Sequence, residues 1–246
     1  MSTAAPGERP KGAAAPGERP KGAAAQGERP IDSAWAVVVA AGSGTRFGAR
    51  KQYEMLGDRR VLDWAVDAAR AVASGVVVVV PEAAAATPEP GADVVVAGGA
   101  TRSASVRAGL AAVPPDTEVV IVHDAARPLA SAALFEAVVA AVTAGADGAV
   151  PGVPVTDTVK RVRGDAVVAT LDRSELVTVQ TPQAFAASVL RAAHASGRDD
   201  TDDAALVEAA GGRVVVVPGD AVNTKLTTPH DLELARAAVA RLAFRA

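Results

Sequence analysis

From Trp35 onward, short runs rich in valine alternate with longer stretches in which apolar residues recur every three or four positions. The runs predict strands at 35–40, 76–80, 93–96, 119–123, 147–151, 176–180 and 213–217. The periodic stretches predict helices at 61–73, 102–112, 131–144, 184–195, 202–210 and 230–242. In the first of these, Val61, Leu62, Ala65, Val66, Ala69 and Val72 keep a period near 3.6. Thr228 is the expected N-cap of the last, with Pro229 in its first turn. Strands made of continuous valine suit a sheet covered on both faces. Strands alternating with helices predict an open, mainly parallel, Rossmann-like α/β sheet that takes its ligands at the carboxyl ends of the strands.

Two segments depart from this rhythm. Residues 153–172 read as two short strands around a Gly164-Asp165 turn, a β-hairpin inserted into the α/β pattern. A projecting ribbon has unpaired edges that favour pairing with another subunit, the alternative being a local surface hairpin. Residues 4–13 and 14–23 are the same ten-residue unit, Ala-Ala-Pro-Gly-Glu-Arg-Pro-Lys-Gly-Ala, and a degenerate third copy follows at 24–30. With Pro and Gly recurring and no large apolar residue in the repeat, residues 1–32 are expected to be a disordered tail. Residues 33–246 then form one α/β domain.

Composition narrows the function. Half of the 246 residues are hydrophobic, and there is no cysteine, which excludes disulfides and thiolate metal sites. No secretory segment or membrane-spanning apolar run is recognisable, so a soluble cytoplasmic protein is expected. The net charge is −3. The first thirty residues carry five Lys/Arg and three Glu, hence +2, which leaves −5 for the remainder. An acidic domain is a poor general nucleic-acid binder, so any anion must be held by local cations. Outside the tail, lysine is kept at only three places, Lys51, Lys160 and Lys225.

The first predicted strand runs into Ala40-Ala41-Gly42-Ser43-Gly44-Thr45-Arg46-Phe47-Gly48, and Lys51 follows closely. Small residues let backbone amides approach a phosphate chain, and Arg46 and Lys51 can neutralise charge that builds up during transfer. The run lacks the P-loop pattern, and its third dinucleotide-binding glycine is displaced to Gly48, so a plain tight turn stays open as an alternative. Gly98-Gly99-Ala100-Thr101-Arg102-Ser103-Ala104-Ser105 opens a helix. It fits either a flat base lying on glycine backbone with Ser105 at its edge, or a capped turn. At the end of another strand, Asp124 can hold a metal or a sugar hydroxyl, or pair with Arg127; His123 beside it reads as a packed histidine. Arg173 and Lys225 suit a phosphate monoester, one as a fork and one as a point charge.

Together these runs resemble one family, the 2-C-methyl-D-erythritol 4-phosphate cytidylyltransferases of the non-mevalonate isoprenoid pathway. The resemblance covers about residues 34–242. It rests on the 40–48 loop, Lys51-Gln52-Tyr53, Gly98–Val106, His123–Pro128, Asp157-Thr158-Val159-Lys160, Gln180–Phe185, Thr201–Ala204 and Asn223–Thr227, in that order. It implies transfer of a cytidylyl group from CTP to methylerythritol phosphate with release of pyrophosphate, and a divalent cation, usually Mg²⁺. By the same likeness, Arg46 and Lys51 are catalytic. Ala40, Ala41, Gly42, Ser43 and Gly44 hold the triphosphate, Gly99 and Ser105 read the cytosine, and Asp124 and Ala125 meet the ribose or acceptor region. Thr158, Arg173, Thr181, Lys225 and Arg127 serve the acceptor. Asp124 is the expected metal ligand, with Asp220 or Asn223 as alternatives. Family members dimerise through the hairpin, so Thr158 and Arg173 are expected in the neighbour's site. No nucleic-acid or membrane partner is expected, nor a fused cyclase after residue 246.

The chain departs from some relatives at Ala100, where they carry an acidic residue, in a shorter gap between Arg46 and Lys51, and in its tail. The acceptor's phosphate monoester is itself a nucleophile near neutral pH, its second pKa being about 6, so no strong general base is required. Catalysis is then expected from positioning and charge stabilisation. A ribitol 5-phosphate cytidylyltransferase and a non-catalytic nucleotide sensor are the alternatives, with a nicotinamide oxidoreductase more remote.

Overall fold

The computed structural model describes residues 33–42, 44 and 47–243. The repeat tail over 1–32, and Ser43 and Arg46 of the glycine loop, lie outside the described residues. In chain order the strands are β1 (Ala34–Val39), β2 (Met55–Leu56), β3 (Arg59–Arg60), β4 (Gly75–Val80), β5 (Val94–Ala97) and β6 (Val119–Asp124). They continue as β7 (Gly148–Pro154), β8 (Lys160–Arg163), β9 (Ala166–Thr170), β10 (Val177–Val179), β11 (Gln183–Ala186) and β12 (Val214–Pro218). The helices are α1 (Val61–Arg70), α2 (Arg102–Ala112), α3 (Ala132–Thr143), α4 (Ala187–Ala195), α5 (Asp203–Ala209) and α6 (Pro229–Ala243).

In the main sheet, β1 is central and pairs in parallel with β4 on one side and β6 on the other; β5 extends the β4 side, also in parallel. Beyond β6 the direction reverses: β11 runs antiparallel to both β6 and β7. β7 also pairs with β10, antiparallel, and with β12, parallel. The sheet is therefore mostly parallel with two antiparallel insertions.

The valine runs of β4 and β6, with Val37 and Val38 of β1, are buried on both faces, whereas those of the outer strands β5 and β12 are partly exposed; the period of two divides the buried ones between layers. Val38, Val76, Val78, Val80 and Ile121 pack on one side, around Phe135 of α3 and against α1. Val37, Val77, Val79, Val120 and Val122 pack on the other, with Phe185 and the inner faces of α2, α4 and α5. Val76 to Val80 are all fully buried. At about 1.5–3 kcal/mol per buried side chain, that one run contributes a gross gain on the order of 10 kcal/mol before conformational entropy is set against it. A third, smaller cluster joins Leu56 and Val61 to Leu226 and to Leu232 and Ala235 of α6. It clamps the segment carrying Lys225 to the region just after Lys51.

Two local expectations are corrected. The helix predicted over 184–195 begins only at Ala187, because residues 183–186 are a strand inserted between β6 and β7. Gln-Ala-Phe-Ala has little strand preference of its own, and the pairing is supplied by neighbours distant in sequence. Before α6, Thr228 stands at the expected N-cap position, with Pro229 opening the helix, but its hydroxyl is not the capping acceptor. The Asp231 carboxylate instead reaches back to the backbone amides of Thr227 and Thr228, at 2.8 and 2.7 Å, and accepts from the Thr228 hydroxyl at 3.0 Å. The hairpin forms as expected: β8 and β9 make a separate two-stranded ribbon turning at Gly164, whose φ is +61°. Val162, Val167 and Val168 are exposed on it. Among the described residues, no helix is long and apolar enough to cross a membrane.

Candidate active site

The parallel strands β1, β5 and β6 end at a common edge, and the segments that leave them line a cleft of about 570 Å³. Two backbone bonds carry the sheet's order into its walls. Ala40 donates to the Val79 carbonyl at 2.7 Å, and Ala125 donates to the Val39 carbonyl at 3.0 Å.

One wall is the glycine loop, with Ala40, Ala41, Gly42 and Gly44 facing the cleft. Gly44 has φ +70°, and its carbonyl accepts from the amides of Phe47 and Gly48, each at 2.9 Å. A Cβ there would stand 1.8 Å from the Ala49 carbonyl oxygen, so the turn admits only glycine. Opposite, Gly98 and Gly99 lead into α2. A Cβ on Gly98 would lie 2.3 Å from the Ala41 Cβ, so its bare backbone is what lets the two walls come together. Gly99 and Ser105 both line the cleft. The Ser105 hydroxyl accepts from the Gly99 amide at 3.2 Å and donates to the Thr101 carbonyl at 2.9 Å, which fixes the turn. Thr101 caps α2 by accepting from Ala104 at 3.0 Å. The positive end of that helix's dipole therefore meets the cleft.

The charged groups converge from distant parts of the chain. Lys51 lies in a short 3-10 turn and donates to the carbonyl of Leu226, whose own amide donates to Ala126 at 2.8 Å. This brings Lys51 and Lys225 to one cleft. Asp124, at the tip of β6, accepts from Lys225 at 2.6 Å through Oδ2 and from Arg102 Nε at 3.2 Å through Oδ1. Arg102 also donates to the fully buried Asp203 at 2.7 Å, and Asp203 is bonded to His194 at 2.9 Å. Burial opposes the Asp124 charge, but Arg102 and Lys225 together outweigh it and hold the carboxyl well below the usual carboxylate range. Among the described lining residues, three cations, Lys51, Arg102 and Lys225, thus share the cleft with one carboxylate, an arrangement suited to a polyanionic ligand.

The structure brings most of the sequence-derived site residues together, Ala125 included, but sets others apart. Thr181 is buried behind Asp124, where its hydroxyl accepts from the Asp124 amide at 3.0 Å and contacts His123 Nδ1 at 3.1 Å. Arg127 does not pair with Asp124. It donates to the Asn223 carbonyl at 2.8 Å and braces the segment before Lys225. Asp220 and Asn223 do not line the cleft. Asn223 is fully buried, and its amide donates to the Thr181 carbonyl at 2.9 Å. Thr158 and Arg173 are exposed beside the hairpin and do not line this chain's own cleft; Arg173 donates to the Thr156 carbonyl. Sequence reasoning gave no role to Arg102 or Gln52. Both lie inside the quoted motifs, which was the available signal.

His123 has a measurable consequence. It is fully buried, with Nε2 3.1 Å from the Arg127 carbonyl, and burial pushes its pKa down to about 4. The unfolded imidazole titrates near 6.5, so between these values the unfolded chain binds more protons and stability falls as the pH drops. The expected loss from this group is about 3 kcal/mol between pH 6.5 and 4. Asp124 contributes only lower, since its depressed pKa gives stability that is lost as pH falls below the unfolded carboxylate range. Urea unfolding across this window should show a clearly flatter slope for His123→Gln than for the unaltered protein. Equal slopes would contradict the neutral buried histidine.

Residues 34–241 match the family model described as IspD: 2-C-methyl-D-erythritol 4-phosphate cytidylyltransferase. The chain is 47% identical over 228 residues to the 2-C-methyl-D-erythritol 4-phosphate cytidylyltransferase of Streptomyces coelicolor, covering 84% of each. It is 49% identical over 221 residues to the bifunctional enzyme IspD/IspF of Clavibacter michiganensis, covering 83% of this chain and 54% of that protein. The chain thus spans about half the length of the bifunctional relatives it matches. The crystal structure of 2-C-methyl-D-erythritol 4-phosphate cytidylyltransferase from Thermus thermophilus superposes with a TM-score of 0.72 at 38% identity, covering 83% of this chain and 98% of that one. The chain belongs to the 2-C-methyl-D-erythritol 4-phosphate cytidylyltransferase family.

Proposed function

We propose that this cleft transfers the cytidylyl group of CTP to 2-C-methyl-D-erythritol 4-phosphate. An oxygen of the acceptor's phosphate attacks the α-phosphorus of CTP, the bond to the β-phosphate bridging oxygen breaks, and pyrophosphate leaves. The observation that carries this reading is the meeting of Lys51 and Lys225 at the glycine loop, with Asp124 held between Lys225 and Arg102. Lys51 and the loop amides stabilise charge on the transferring phosphoryl group, and Lys225 with Asp124 lies on the acceptor side. Gly99 and Ser105 form the surface for the base.

A divalent cation suits the cleft. Asp124 is the sole carboxylate among the described lining residues, and magnesium is commonly held by one or two carboxylates completed by substrate phosphates. Asp124 would hold the ion, which when bound would neutralise the triphosphate and polarise its oxygens.

The function is tested by pyrophosphate release from CTP with a panel of polyol phosphates. Methylerythritol phosphate should support the fastest release. Faster release with ribitol 5-phosphate would overturn the acceptor assignment, and CTP binding with no release would indicate a nucleotide sensor.

The hairpin has a place in the same reading. Its exposed valines and unpaired edges suit a second copy of the chain, whose cleft would receive Thr158 and Arg173. Arg173→Ala should raise KM for the acceptor more than KM for CTP. Mixed with Lys51→Ala at low acceptor concentration, it should recover about one quarter of normal activity, because a mixed dimer holds one intact site. No recovery on mixing would place Arg173 in its own chain's site or in none.

A further inference from the structure

We infer that Gln52 is a positioning residue for the nucleotide's phosphates, acting by fixing the direction of the glycine-loop amides. Gln52 sits next to Lys51 in the 3-10 turn and is 3% exposed. Its single amide nitrogen donates to two carbonyls of the loop, Ala40 at 2.8 Å and Gly42 at 3.2 Å. Both carbonyls lie past the end of β1, where the sheet ladder no longer uses them.

A peptide unit is planar and trans, so a carbonyl turned one way turns the following N–H the opposite way. By drawing the Ala40 and Gly42 carbonyls to itself, Gln52 turns the Ala41 amide away from it and holds the loop on both sides of that residue. A loop of small residues and glycine has little intrinsic preference for such an arrangement, since its backbone samples many conformations at low cost. Side-chain packing cannot supply the preference either, because Ala and Gly offer almost no surface to grip. The carboxamide has the chemistry the task needs. It carries two N–H donors on one atom, a neutral charge that leaves the anion site unopposed, and a length that reaches both carbonyls.

Coupling to catalysis follows from adjacency. Lys51 is fixed to the Leu226 carbonyl and Gln52 to the loop, so one short turn sets both the cation and the amides. Glutamate at 52 would have nearly the same shape but would present acceptors to acceptors. Leucine would fill much of the volume and donate nothing.

This inference rests on the reading that the loop seats the triphosphate, and the experiment separates the two. CTP is titrated by calorimetry and cytidine by NMR into the full-length protein and into Gln52→Glu and Gln52→Leu. Both variants should bind CTP at least ~10-fold more weakly, the scale of losing one hydrogen bond to a charged group. Cytidine affinity should hold within about twofold, since the nucleoside makes no use of the loop amides. KM for the acceptor should also hold. If the variants keep the normal preference for CTP over cytidine, Gln52 does not position the loop. If both ligands weaken equally, its role is only structural, and the inference fails in that case too. If the unaltered protein binds CTP no better than cytidine, the triphosphate seat itself is misassigned. Should one variant fail to fold, the other carries the same comparison.

Discussion

Lys51→Ala should lower kcat by at least ~10²-fold, the scale for removing one preorganised transition-state donor. The expectation rests on where the ammonium is held. Lys51 comes from a turn whose next residue grips the glycine loop, and its Nζ reaches the Leu226 carbonyl, one residue past Lys225. The Leu226 carbonyl fixes the ammonium at the cleft beside the glycine loop, where it can meet a transferring phosphoryl group. Pentacoordinate phosphorus concentrates negative charge on its equatorial oxygens, so a fixed cation stabilises it more than it stabilises bound CTP. The kinetic signature is therefore a parallel fall in kcat and kcat/KM, not a rise in KM alone. Lys51→Arg should recover little, because a planar fork does not replace a compact point charge. Turnover close to normal in the alanine variant would remove Lys51 from the chemistry.

What could be read from the chain beforehand follows a physical division. The buried parallel strands were legible because valine runs mark positions enclosed on both faces, as at Val76–Val80. The hairpin was legible because Gly164 supplies the positive φ its turn requires. The glycine loop and Asp124 were legible because each stands where a strand ends. Strand β11 was not, because Ala184–Ala186 takes its conformation from β6 and β7, and no local signal distinguishes it from the start of α4. The same holds at the site. Arg102 meets Asp203 across 101 positions of sequence, and Asp124 meets Lys225 across another 101. Pairing at such separations is a property of topology, and it explains why Asp124 looked like a partner for Arg127 three residues away. Gly98 was visible as a turn residue, but its contact with Ala41 exists only once β1 and β5 lie in one sheet.

Asp124→Asn should weaken both the fold and the reaction, by separable amounts. Removing one partner from a buried ion cluster costs about 3–5 kcal/mol when the remaining charges have no alternative. Here they do have alternatives: Arg102 keeps Asp203, and Lys225 is 40% exposed at its side chain and can be hydrated. The stability loss should therefore fall near the bottom of that range, about 3 kcal/mol, measured by urea unfolding at pH 7. It should shrink as the pH falls below 4, because the unaltered carboxylate's contribution is itself lost there on protonation. The activity loss should be of comparable size, at least ~10²-fold in kcat/KM, because a freed Lys225 no longer sits at a defined point and a displacement of about 1 Å is enough for that factor. Asp203→Asn distinguishes the two effects. It leaves Asp124 and Lys225 paired and disturbs the buried end of Arg102, so it should cost stability while sparing most of the turnover. If Asp124→Asn retained normal kcat/KM with only its unfolding curve shifted, the cluster would be a structural tie, and the acceptor side of the cleft would have to be sought elsewhere.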